Sequence, residues 1–253
     1  MIPLAALFAS APLAGAVEVP VVAAASDMQY ALVEVAAAFT RASGRPVKLA
    51  FGSSGNFVHQ INRGAPYELF FSADEAYVSE LVERGLTLGV GTLYAVGRLA
   101  LFVPRGSPVR ADAGLNDVAA ALEDGRLRKL AIANPAHAPY GRAARGVLMH
   151  RGLWQKSQKH LVMGENISQA AQFAASGSAE AGLLAYSLVI SDQMAQAGTF
   201  VLLPAEWHHP LRQRMALLKG AGDTARRFYD FAQSPPARAL FERYGFSLPA
   251  AGY

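Results

Sequence analysis

Strands alternating with helices, Ser- and Gly-rich turns from strand to helix, and length enough for two cores predict an α/β protein of two lobes. Each lobe is expected to be a mostly parallel sheet flanked by helices. At 253 residues, two lobes of about 100 to 130 residues are as natural as one large domain, and either buries a substantial core.

The elements follow in order. Residues 17–25 are β-branched or small and read as a buried strand that ends at Ser26-Asp27. Residues 28–42 read as a helix, because Leu32, Val35, Ala36 and Phe39 share one face, and Ser43-Gly44 stops it before a strand at 47–51. Gly52-Ser53-Ser54-Gly55 then opens a helix carrying Phe57, Val58 and Ile61, which Gly64-Ala65-Pro66 breaks ahead of a strand at 68–71. Ser72-Ala73-Asp74 caps a helix through Leu81 and Val82 that ends at Gly85. A Gly-rich stretch without regular pattern precedes a buried strand at 99–103, closed by Pro104, and a lobe boundary is expected near there. The second lobe repeats the rhythm with a strand at 130–133, helices after Pro139-Tyr140-Gly141 and after Asn166-Ile167-Ser168, and a strand at 181–185. Residues 214–218 read as a returning strand, and 224–233 and 236–244 as closing helices.

Composition narrows the function. The 23 Lys and Arg against 19 Asp and Glu leave a net charge of +4 that is scattered, so no basic stripe marks a nucleic-acid surface. No cysteine occurs, which excludes a thiolate metal site, a thiol nucleophile and a disulfide framework, and suits an exported chain. Met1 to Ala9 form an apolar stretch too short to span a bilayer, and Ala14-Gly15-Ala16 has the small-x-small form of a signal-peptidase site. Residues 1–16 are therefore expected to be a signal peptide, although no Lys or Arg precedes the apolar run. No later run has about 18 apolar residues, so the mature chain is expected to be soluble. His59, His137, His150 and His160 are isolated, and His208-His209 lacks metal-site spacing.

The informative pattern is a strand, a short turn and a helix start, seen at Ser26, at Ser53-Ser54, at Pro139-Tyr140 and before Ser168. First-turn N–H groups lack intrahelical partners, and the helix dipole adds partial positive charge, so each start suits an anion without a cationic side chain. Any single Ser or Asp there reads first as a helix cap that bonds its own backbone. Four in two lobes, gathered where open α/β sheets present their strand ends, favour a shared oxyanion site.

The segments that carry a resemblance are Ala23-Ala24-Ala25-Ser26, Phe51-Gly52-Ser53-Ser54-Gly55 with Gln60-Ile61, and Gly64-Ala65-Pro66 with Phe70-Phe71-Ser72-Ala73-Asp74. They continue with Asn134-Pro135, Ala138-Pro139-Tyr140-Gly141, Glu165-Asn166-Ile167, Gly182-Leu183-Leu184-Ala185-Tyr186 and Phe241-Glu242-Arg243-Tyr244-Gly245-Phe246. In this order, over nearly the whole mature chain, they resemble the periplasmic molybdate-binding proteins of ABC importers. The resemblance implies the two-lobe periplasmic-binding-protein-like type II fold, with ligand in the interlobe cleft. Residues 17–97 and 206–253 would form the first lobe and residues 98–205 the second. It implies oxyanion contacts from Ser26 and Ser54 in one lobe and Tyr140, Ile167 and Tyr186 in the other, with Tyr186 donating through its phenol. At the Tyr140 position some members offer only a small residue and its N–H. Asp27 and Asn56 depart from the better-known members, which carry Leu and Thr there.

The resemblance further implies a monomeric, non-enzymatic periplasmic receptor that delivers molybdate or tungstate to a membrane permease, with no nucleic-acid partner. No cofactor is expected, and molybdenum would be bound only as its oxyanion through the same residues. An all-donor site rejects phosphate, which carries a proton near neutral pH and calls for an acceptor carboxylate. Asp27 is the residue on which that selectivity turns, and as a first-turn helix residue it is expected to point outward. The rivals are a receptor for sulfate or phosphate, a hydrolase in which Ser54 pairs with His59 or His137, and a ligand-sensing regulator domain, which no helix-turn-helix segment supports.

Overall fold

The computed structural model describes residues 19–249; the expected signal peptide, residues 1–16, lies outside the described residues. The first lobe opens with β1 (Val21–Ala25), a 3-10 turn at Ser26–Met28 and α1 (Gln29–Ser43). It continues through β2 (Lys48–Gly52), α2 (Ser54–Asn62), β3 (Leu69–Ser72), α3 (Glu75–Glu83) and β4 (Thr92–Gly97). The second contains β5 (Leu99–Pro104), α4 (Asn116–Asp124), β6 (Leu130–Ala133), α5 (Pro139–His150) and α6 (Trp154–Ser157). After these come β7 (Leu161–Gly164), α7 (Ile167–Ala175), β8 (Ala181–Ala185), α8 (Tyr186–Val189), α9 (Asp192–Ala197) and β9 (Gly198–Leu202). The chain then returns to the first lobe as β10 (Leu211–Leu217), α10 (Asp223–Ala232) and α11 (Pro235–Arg243).

The two sheets share one plan. Strand order is β2-β1-β3-β10-β4 in the first and β7-β6-β8-β5-β9 in the second. β1 runs parallel to β2 and β3, and β6 parallel to β7 and β8. β10 and β5 each run antiparallel to both neighbours. Those two strands enter from the opposite lobe, so they run against the βαβ units they join and each sheet is mixed.

Periodicity explains the helices. Ala31, Leu32, Val35, Ala36 and Phe39 bury one face of α1, and a residue such as Leu32 or Phe39 contributes roughly 1.5 to 3 kcal/mol on burial. Phe39 packs on Phe228 with ring centroids 5.1 Å apart, which ties α1 to α10. Gly44, at φ 71°, ends the helix, its N–H donating to the Thr40 carbonyl.

Seven elements had no expectation, among them the short helices α6, α8 and α9. β4 lies in the Gly-rich stretch, β7 and β9 are half-exposed edge strands without an alternating pattern, and α4 begins after Leu115 at φ 55°. β10 starts three residues before the expected 214, because Leu211 to Gln213 pair with β4 ahead of a register shift between Gln213 and Arg214. That irregularity sits beside a wholly buried glutamine, Gln213.

Candidate functional site

The carboxyl ends of β1 and β2 and the loops after β3, β6 and β7 converge between the lobes. They line a small cavity of about 10 Å³ with Ala25, Ser26, Asp27, Gly52, Ser53, Ser54, Ala73, Ala138, Pro139, Tyr140 and Ile167. Neither Lys nor Arg is among the lining residues. Larger hollows of about 380 and 680 Å³ lie elsewhere, along α7 and α9 and between α5 and Trp207. The first takes in Gln29 and Ser168 and the second Asp74 and Pro139, but neither includes Ser26, Ser54, Tyr140 or Ile167.

Each expected residue has a local reason for its place. Ser26 is buried in the 3-10 turn, where its Oγ donates to Asn166 Oδ1 at 3.2 Å and accepts from the Ser168 N–H at 3.3 Å. Ser54 is the first residue of α2 and fully buried, its Oγ accepting from the Ala73 N–H at 3.0 Å. Tyr140 follows Pro139 at the start of α5. Ile167 starts α7, which Asn166 caps by accepting from the Gln169 N–H at 3.0 Å. The structure thus brings Ser26, Ser54, Tyr140 and Ile167 to one cavity.

Tyr186 is not with them. It starts α8 with its N–H on the Arg98 carbonyl, and its ring packs on Phe200 at 5.8 Å. The same ring covers Gly245, where an added Cβ would fall 2.6 Å from it. The structure therefore does not bring the Tyr186 ring into the cavity lining, and packs it against Phe200 and Gly245 instead.

Asp27 is a correction. It was expected to face solvent, yet it is 1% exposed and part of the cavity lining. The physical reason is the 3-10 turn: Asp27 precedes the regular helix, and the tighter winding directs its side chain into the interlobe core. Its Oδ2 accepts from Gln213 Nε2 at 2.6 Å, while Oδ1 is buried without a partner. Burial pushes its pKa from 3.8 up to about 6, against the opposing pull of the Gln213 and Tyr140 side chains and nearby backbone groups. Tyr94 donates to Gln213 Oε1 at 2.7 Å, which orients the amide with its nitrogen toward the carboxyl. Burial, followed by the Asp27 charge, pushes the Tyr94 and Tyr140 phenols well above the usual value of 10, so both stay neutral donors.

Polar contacts between the lobes surround the cavity. The Gly55 N–H donates to the His137 carbonyl at 2.9 Å, Ser187 Oγ donates to the Asp27 carbonyl at 2.8 Å, and Asn56 donates to Glu165. Arg142 reaches across to Asp74 at 2.6 Å and to the Tyr77 hydroxyl at 2.7 Å. The imidazole of His137 meets Ser53 at 2.9 Å, and its other nitrogen lies 3.5 Å from Glu165. The hydrolase rival needed this base on Ser54, whose hydroxyl is occupied by a backbone amide instead. Among the described residues, no group of three His, Asp or Glu side chains could hold a metal ion.

Sequence reasoning missed Gln213 and Tyr94. The signal available was Gln213 itself, a polar residue at an inward position between Leu211 and Met215.

Helix starts from both lobes, meeting at one cavity, define a two-lobe type II solute-binding protein. Residues 20–247 match the family model of bacterial extracellular solute-binding proteins, and the chain belongs to that family. It is similar to the molybdate-binding protein ModA of Rhodobacter capsulatus, 39% identical over 89% of this chain and 87% of the relative. The solved periplasmic molybdate-binding protein of Azotobacter vinelandii superposes with a TM-score of 0.82 at 31% identity, covering 91% and 99% of the two chains. The sulfate-binding protein SubI of Mycobacterium tuberculosis shares the fold, with a TM-score of 0.74 at 16% identity and 92% and 87% coverage. The family places the chain outside the cytoplasm in a solute-binding role.

Proposed function

We propose that this protein captures molybdate, and tungstate with it, and delivers the oxyanion to the membrane permease of an ABC importer. It acts as a monomer in the periplasm after loss of its leader, needs no cofactor and does no chemistry. The observation that carries the reading is the meeting of Ser26, Ser54, Tyr140 and Ile167, from both lobes, at a cavity with no cationic side chain in its lining. Neutral, preoriented donors suit a buried anion, because a buried ion pair must also offset the desolvation of its cation. Hydrogen bonds to a charged partner contribute roughly 1.5 to 3 kcal/mol each, so about six supply the ~8 to 12 kcal/mol of a micromolar to nanomolar receptor after association costs. The names of the Rhodobacter and Azotobacter relatives support molybdate over other oxyanions.

One observation favours a second reading. A carboxyl in the cavity lining, with one oxygen unpartnered, is an acceptor for an oxyanion that carries its own proton, such as phosphate. Calorimetry of the purified mature protein with molybdate, tungstate, sulfate and phosphate decides between them. Tight molybdate and tungstate binding is expected, and tight phosphate binding without a molybdate signal would overturn the first reading in favour of the second.

A further inference from the structure

We propose that Asp27 takes up a proton from solvent when the cleft captures its oxyanion, so that Oδ1 becomes a hydroxyl donor to a ligand oxygen and anion and proton enter together. The inference rests on the oxyanion reading of the cavity and adds what that reading does not contain, a change in the charge of the site on loading. One Asp27 carboxylate plus one solvent proton gives one carboxylic acid, and nothing else is consumed.

The geometry isolates this carboxyl. Gln213 Nε2 holds Oδ2 at 2.6 Å, and the Ser187 hydroxyl holds the Asp27 carbonyl at 2.8 Å, so the side chain has little freedom to turn away. Oδ1 is buried and without a hydrogen bond, in a residue that lines the cavity. The groups packed around Asp27 supply no positive charge. β10 contributes neutral Gln213, α5 Tyr140 and β4 Tyr94, both phenols held neutral, while α8 contributes Ser187. From α7 comes Ser168, bonded to the Ser26 carbonyl, and from α2 comes Ser54. At the rim, the imidazole of His137 is engaged by Ser53 and Glu165. Arg98 donates to the Leu203 carbonyl and leaves its Nε buried without a partner, and Arg142 is held by Asp74 and Tyr77.

A dianion brought beside an ionised carboxyl in this setting makes two like charges share one site, and such pairs do not both stay ionised. Protonating Asp27 removes the repulsion and converts the orphaned acceptor into the donor that a fully deprotonated oxyanion requires. The residue is thus a specificity-determining group. It lets one cavity take a bare dianion with an added proton, or a protonated anion without one.

The test is titration calorimetry of the wild-type protein with sodium molybdate at pH 7.5 in Tris, imidazole and HEPES, whose ionisation heats differ. The slope of observed heat against buffer heat gives the protons exchanged. About one proton should be taken up per molybdate, falling toward zero below about pH 5, where the free site already carries it. Phosphate, which brings a proton, should show a much smaller uptake wherever it binds. Asp27→Asn should abolish the uptake and flatten the pH dependence of molybdate affinity. The wild-type slope is decisive by itself, so the test stands even where the variant fails to fold. Measurable molybdate binding with a slope of zero overturns the inference and leaves the receptor reading standing. Absence of heat and of competition with all four oxyanions overturns the receptor reading itself, and the inference with it.

Discussion

Replacing Asp27 with Asn probes the buried carboxyl through the stability of the ligand-free protein. Burial raises the Asp27 pKa from 3.8 in the open chain to about 6 in the folded one. The fold therefore prefers the protonated acid, and its contribution is fully present below pH 3.8 and lost as pH rises through about 6. About two pKa units correspond to about 3 kcal/mol, the loss expected of wild type between those limits. Asn keeps the shape and the acceptor for Gln213 but does not titrate. Any fixed cost of the amide cancels when one pH is compared with another. Thermal unfolding of both proteins, ligand-free, from pH 4 to pH 8 reads the difference. The Tm of the variant should gain on wild type by roughly 6 to 12 °C across that range, at about 2 to 4 °C per kcal/mol for a chain of this size, with most of the gain complete by pH 7. Parallel curves would refute the reasoning, since they would mean that Asp27 is not desolvated in the free protein.

Two further predictions follow from the placement of side chains. Ser54→Ala should weaken molybdate binding by about 1 to 3 kcal/mol, whereas Tyr186→Phe should leave it unchanged, because the Tyr186 ring packs on Phe200 and not at the cavity; equal losses in calorimetry would restore Tyr186 to the site. Gly97→Ala would place a Cβ 2.2 Å from the Tyr140 hydroxyl and 2.9 Å from Gln213 Nε2, both buried, so it should cost about 1 to 3 kcal/mol in urea unfolding and weaken binding too. Unchanged stability would show that these side chains can yield.

Much of the fold was legible because its signals are local. The one-sided spacing of Leu32, Val35 and Phe39 announces α1, and Asp74 and Asn166 announce α3 and α7 as caps that accept from their own first turns. β6 and β8 fall at the expected residues because short apolar runs bounded by turns leave little choice. β7 and β9 escaped because an edge strand needs burial on neither face to form, only a partner's open backbone. Within the site, the starts at Ser54, Tyr140 and Ile167 were visible for the same local reason as their helices.

The chain by itself determined where helices begin, and hence which backbone donors and hydroxyls could face an anion. Only the tertiary structure decided which of them meet. Asp27 and Gln213 stand 186 residues apart and become partners through a strand that crosses between lobes. The Tyr186 ring lies against Gly245, 59 residues on, a contact that no local pattern encodes. The physical reason is one of range: caps and periodicity act over a few residues, whereas the desolvation of a buried carboxyl is the summed effect of every element packed against it.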